Sequence, residues 1–182
     1  QELKINVIAP SHGIIWRSNP VKIVEAYLRW AKGEAKNKIL IVYDTMWGST
    51  GKMARAIIEG IKSVGVEATI YRIPFSDIGD ILADLLEAKG ILIGSSTINN
   101  DILPTVAPLL EDLKGLKPRG KIAAAFGSYG WGGGAVKSIE EMSRRAGMEV
   151  VFPGLTVNWV PNKEELQKCF NFGREFASGV TK

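Results

Sequence analysis

Three short polar stretches, each following an apolar run, hold residues able to grip a ligand without a charged side chain. They are Thr45-Met46-Trp47-Gly48-Ser49-Thr50, Ser95-Ser96-Thr97-Ile98-Asn99-Asn100-Asp101 and Ser128-Tyr129-Gly130-Trp131-Gly132-Gly133-Gly134. The first places three hydroxyls and a glycine directly ahead of a helical pattern. Successive backbone N–H groups at such a turn, with the positive end of the helix dipole, suit a terminal monophosphate, and Thr45, Ser49 and Thr50 add hydroxyl donors. The same residues also describe an ordinary capped helix, so this loop alone leaves both readings open. In the other two, Asn99, Asn100 and freed amides suit the heteroatom edge of a flat ring, while Tyr129, Trp131 and Trp47 supply aromatic faces. Taken singly, the glycines read as loop flexibility and the aromatics as partial core. Three such loops on one edge favour a ligand.

One edge follows from the elements that carry them. From Lys38 onward, short β-rich runs alternate with amphipathic stretches, the pattern of βα units around a parallel sheet. Strands are expected at 38–44, 66–72, 90–96, 121–127 and 148–157, the last interrupted by Pro153-Gly154. Helices are expected at 50–64, 77–88, 104–113, 135–146 and 162–178. The fold class is α/β, a doubly wound five-stranded parallel sheet of order 2-1-3-4-5 with helices on both faces. Ligands of such sheets bind outside the carboxyl ends of the strands, at the crevice between strands 1 and 3. Residues 1–36 fall outside the repeat. Leu3 to Ala9 reads as an alternating strand, Pro20 to Ala31 as a helix capped by Asn19, and Lys32 to Asn37 as a polar linker.

Rival ligands fit less well. Gly51-Lys52 resembles the end of a triphosphate-binding loop, but Met46 and Met53 stand where that motif needs Gly and Ser or Thr. A phospho-receiver needs an acidic pocket, and Asp44 alone does not make one. Gly130 to Ala135 matches a dinucleotide fingerprint, yet the acid about 20 positions on, Glu149, begins a strand instead of ending one.

Composition narrows the class. A chain of 182 residues with 46% hydrophobic and 23% charged residues fills one core plus an appendage. No apolar run reaches the roughly 18 to 20 residues of a bilayer span, and Gln-Glu-Leu-Lys does not open like a secretion signal. A single cysteine, Cys169, offers neither an internal disulfide nor a Cys-x-x-Cys metal site. A cytoplasmic location is expected, with no membrane partner. Net charge is +4, of which residues 1–36 hold +3. The near-neutral remainder has no basic stripe, which argues against nucleic acid.

The three loops resemble the FMN-binding loops of flavodoxin-like domains, and more narrowly those of flavodiiron proteins, also called A-type flavoproteins. Ile8-Ala-Pro-Ser-His-Gly-Ile-Ile-Trp-Arg17 sharpens the likeness, because it resembles the end of that family's metallo-β-lactamase-like domain. The resemblance implies two parts: residues 1–36 as a remnant of that domain, and 37–182 as a flavodoxin-like FMN domain. It implies cofactor contacts from Thr45, Met46, Trp47, Gly48, Ser49, Thr50, Thr97, Ile98, Asn99, Asn100, Ser128, Tyr129, Gly130, Trp131, Gly132 and Gly133, and no catalytic side chain. His12 would be an iron ligand in a full-length parent only, since one histidine does not hold a diiron centre. The implied activity is electron relay in an oxygen or nitric oxide reductase, from rubredoxin or a reduced cofactor to a diiron domain, across a head-to-tail homodimer. The second loop carries Ile98 and Asn99 where free flavodoxins often have an aromatic, which leaves the stacking partner open. The alternatives are a nicotinamide-dependent FMN reductase and a docking module without cofactor.

Overall fold

The computed structural model describes residues 4–180. Its elements are α1 (Pro20–Ala31), β1 (Lys36–Tyr43), α2 (Ser49–Lys62), β2 (Glu67–Arg72), a 3-10 turn (Ile73–Phe75), α3 (Ile78–Glu87) and β3 (Ala88–Gly94). There follow α4 (Ala107–Leu116), β4 (Ile122–Tyr129), α5 (Ala135–Arg145), β5 (Glu149–Val150), β6 (Leu155–Asn158) and α6 (Lys163–Val180). Contacts divide the chain into two units, one ending at Ala35 and one beginning at Lys36.

In the larger unit all strand pairs are parallel and run in the order β2-β1-β3-β4-β5, with β6 also on β4. The expected sheet order is therefore present. Its fifth position is shared by two short strands, since Pro153-Gly154 interrupts the ladder between them. Side-chain alternation sends the central strands into two cores. Leu40, Val42, Ile91 and Ile93 pack with Ile81 and Leu85 of α3, Leu109 and Leu113 of α4, and Ile139 of α5. Ile39, Ile41, Leu92 and Phe126 pack on the other face with Met53 and Ile57 of α2 and Phe176 of α6. Both faces being covered explains why β1 and β3 read as continuous apolar runs. Where α2 crosses α6, a Cβ on Gly60 would overlap the Phe170 carbonyl and one on Gly173 the Ile57 carbonyl, so the helices touch backbone to backbone.

Four expectations change. The strand proposed at 3–9 does not form over its described part: Ile8 makes a single antiparallel bridge with Trp16, and Ile5 and Val7 are exposed. Alternating apolar residues need a neighbouring ladder to become a strand, and residues 4–7 have none among the described residues; Leu3 lies outside them. Helix α4 starts at Ala107, three residues later than expected, because Leu103 to Val106 closes a turn (Val106 N–H to the Leu103 carbonyl, 2.9 Å) before the helix begins. Strand β4 runs on through Ser128 and Tyr129, which pair with Val157 and Asn158 of β6, so the third loop begins inside the strand. Lys36, placed in the linker by composition, opens β1. In the smaller unit α1 starts as read, with Asn19 accepting the Lys22 N–H and Pro20 in the first turn.

Candidate functional site

A triangle of buried hydroxyls joins the three loops at the C-terminal edge of the sheet. Thr50 Oγ1 lies 3.0 Å from Ser96 Oγ and 2.9 Å from Ser128 Oγ, with 3.4 Å between the serines. Thr50 sits in the first turn of α2, Ser96 follows β3, and Ser128 belongs to β4. Three hydroxyls can satisfy one another in a ring, which is how this polar group tolerates burial. Thr50 is 0% exposed. Its hydroxyl, read from sequence as a phosphate donor, is thus also the link that draws the loops together.

The amides of the first loop divide into spent and unspent donors. Thr45 N–H donates to Asp44 Oδ1 at 2.7 Å, Met46 N–H to Ser96 Oγ at 3.3 Å, and Gly48 N–H to Thr45 Oγ1 at 3.0 Å. Gly48 occupies the N-cap of α2 and has no side chain with which to cap it. The ladder of α2 begins with the Lys52 N–H on the Gly48 carbonyl, and the amides of Trp47, Ser49, Thr50 and Gly51 meet no acceptor among the described residues. On a wholly buried residue such as Thr50, an unmet N–H costs roughly 1–3 kcal/mol. Adjacent orphan donors at the positive end of a helix are an anion cradle, and these residues fit a phosphate monoester.

The second loop tightens into a two-residue turn. Ile98 N–H reaches the Asp101 carbonyl at 3.0 Å, and Asp101 N–H returns to Ile98 at 2.8 Å. Asn99 and Asn100 between them have φ of 50° and 59°. Both central residues of this turn are left-handed, a conformation asparagine tolerates. Their type therefore answers to the backbone as well as to any ring edge. Thr97 N–H donates to the Ser128 carbonyl at 2.9 Å, and Thr97 Oγ1 accepts the Ala135 N–H at 3.4 Å.

The third loop lies directly on the second: a Cβ on Gly134 would overlap the Asn100 backbone carbonyl. Around the cradle, Trp47 is 90% and Trp131 95% exposed, and Met46 is exposed too. Tyr129 is partly buried at the end of β4, and Gly130, Gly132 and Gly133 follow it on the loop.

Two residues of the site lie outside the three loops marked by the sequence. Trp159 lies over Gly130 and meets Trp131 edge to face at 5.2 Å, with its N–H on the Tyr129 carbonyl at 2.7 Å. Asn158 Nδ2 donates to the Gly130 carbonyl at 2.6 Å. Both come from the far end of β6, and only the pairing of β6 with β4 brings them here. Asp44, which the sequence offers only as a receiver acid, accepts the Thr105 hydroxyl at 2.6 Å. For Ser96 and Asp44 the signal is position, within two residues of the ends of β3 and β1.

His12 lies in the smaller unit, exposed in a bend. Among the described residues no group of three or more His, Cys, Asp or Glu could hold a metal, so the residues present do not fit a diiron centre. No helix among them is long and apolar enough to cross a membrane.

Residues 41–173 match the flavodoxin family model. A nitric oxide reductase of Moorella thermoacetica is 52% identical over 98% of this chain, which covers 45% of that protein. Rubredoxin:oxygen oxidoreductase from Desulfovibrio gigas superposes with a TM-score of 0.90 at 32% identity, over 97% of this chain and 44% of that one. A flavodoxin from the domain Archaea superposes with a TM-score of 0.74 at 36% identity, over 80% of this chain and 99% of that one. The chain thus spans less than half the length of these reductase relatives, and nearly all of the flavodoxin.

Proposed function

The chain belongs to the flavodoxin family, and from that premise we propose that it is the FMN-binding electron-transfer module of a flavodiiron oxidoreductase. The observation that carries the reading is the row of unmet amides at Trp47, Ser49, Thr50 and Gly51, held in place by hydroxyls from all three loops.

Those amides, with the Thr45 and Ser49 hydroxyls, hold the phosphate. Thr97, Ile98, Asn99 and Asn100 meet the ring edge, and Ser128, Tyr129, Gly130, Trp131, Gly132 and Gly133 pack against it. Bound there, FMN supplies the one- and two-electron redox chemistry. The protein's part is to grip it, shield one side from water and leave an edge open. No side chain of the chain acts as acid or base. The exposed Trp47 and Trp131 rim gives a redox partner an apolar surface beside that edge.

Residues 1–36 are the tail of a metallo-β-lactamase-like domain, with 37–182 as the flavin domain and His12 as an iron ligand supplied to that missing partner. In the whole protein, electrons pass from a donor such as rubredoxin, or from a reduced cofactor, through the flavin to a diiron centre that reduces oxygen or nitric oxide. A homodimer in the cytoplasm completes the picture. The test is the absorption spectrum of the purified chain: a yellow protein that releases FMN on denaturation is expected. A colourless chain that takes up no added FMN refutes the reading.

A further inference from the structure

Below the unmet amides lies a buried carboxylate, an unexpected group to find under a site for an anion. Asp44 directly follows β1, with its side chain 9% exposed. Among the described residues its one ionic neighbour is Arg72 of β2, whose Nε stands 3.7 Å from Oδ1 and whose side chain is 42% exposed, with the guanidinium packed over Phe75. A buried charge paired so loosely is costly, and its field opposes a phosphate. What it gains is geometric. Oδ1 accepts the Thr45 N–H at 2.7 Å, and Oδ2 accepts the Thr105 hydroxyl at 2.6 Å, from the turn that leads into α4. That turn is itself tied back to the second loop by Leu103 N–H on Ser95 Oγ at 2.9 Å.

Resting on the FMN reading, we propose that Asp44 is a positioning residue that presets the phosphate turn. By drawing the Thr45 amide inward it fixes Thr45 with Oγ1 toward Gly48 N–H, 3.0 Å away. Thr45 Oγ1 then accepts from Gly48 and its own proton meets no acceptor among the described residues, so it stands as a donor beside the orphan amides of 47 and 49–51. Without Asp44, the Thr45 N–H and the Thr105 hydroxyl lose their acceptor together, and the first loop loses its tie to the segment ahead of α4. Electrostatics alone predicts the opposite sign: removing a negative charge strengthens anion binding.

The test uses the full 182-residue chain, freed of flavin and titrated with FMN and with riboflavin, which lacks the phosphate. Wild type should prefer FMN. Asp44→Ala should lower that preference by about tenfold, the equilibrium worth of one charge-assisted hydrogen bond, while riboflavin affinity stays within about threefold. Thr105→Val should move the ratio the same way by a smaller factor. Asp44→Asn should recover most of it, because the amide oxygen still accepts the Thr45 N–H. If Asp44→Ala does not fold, the Thr105→Val loss and the Asn recovery carry the test. Unchanged or raised preference in Asp44→Ala or Thr105→Val, or a parallel loss of both flavins, overturns the positioning role while the FMN reading stands. A wild type that binds neither flavin overturns both.

Discussion

Replacing Thr50 with valine tests whether the hydroxyl triangle holds the loops together. Valine keeps the shape of threonine, so no cavity opens, and what is removed is the pair of contacts at 3.0 and 2.9 Å to Ser96 and Ser128. Each is worth about 0.5–1.5 kcal/mol net. The serines keep each other at 3.4 Å, and Ser96 keeps the Met46 N–H, so neither is stranded. The expected loss is therefore about 2 kcal/mol, equivalent to a fall of roughly 4–8 °C in the melting temperature for a domain of this size. Urea unfolding of the flavin-free chain, followed by circular dichroism, measures it, and Thr50→Ser, which restores the hydroxyl, should regain most of the loss. Combining Thr50→Val with Ser128→Ala should cost less than the sum of the two, as shared partners require. The same variant should weaken FMN more than riboflavin, since it loosens the turn that grips the phosphate. A Thr50→Val chain within about 0.5 kcal/mol of wild type would refute the reasoning, because a contact that light cannot be organising three loops.

Gly134→Ala should weaken FMN and riboflavin together by about tenfold, since the new methyl must push the third loop off the Asn100 carbonyl and both flavins share the ring edge; unchanged titrations would show that the loops do not touch. Gly173→Ala should cost about 1–3 kcal/mol in urea unfolding by forcing α6 away from the Ile57 carbonyl of α2, and a neutral result would disprove that close crossing. Burial pushes the Cys169 thiol up to about 12 from 9.0. The folded chain keeps that proton longer than the unfolded one, so the contribution is whole below pH 9.0 and drains as pH climbs toward 12. Native Cys169 should resist a disulfide reagent at pH 8 and react once the chain unfolds; rapid native labelling would contradict it.

Much of the fold was legible because it rests on local signals. The unbroken apolar runs of β1 and β3 could only be strands covered on both sides, and Asn19 with Pro20 marked a helix start that the structure reproduces. The polar loops stood out because each followed such a run. Where reading failed, the missing information was a partner. Alternation at 3–9 predicts a strand only if another strand lies alongside, and Ser128 and Tyr129 joined β4 only because β6 was there to pair with them. Asn99 and Asn100 read as ligand groups, though a tight turn demands them independently.

Residue order alone thus determined the sheet order, the edge on which ligand chemistry gathers and the hydroxyls and amides available to it, since periodicity and turn chemistry act over a few residues. Tertiary structure decided which donors remain free. Thr50, Ser96 and Ser128 are separated by up to 78 positions, and Asp44 and Thr105 by 61, so no local rule relates them. Whether an amide is spent on a neighbour or left for a ligand depends on atoms a few ångströms away in space, and only the closed sheet brings those atoms together.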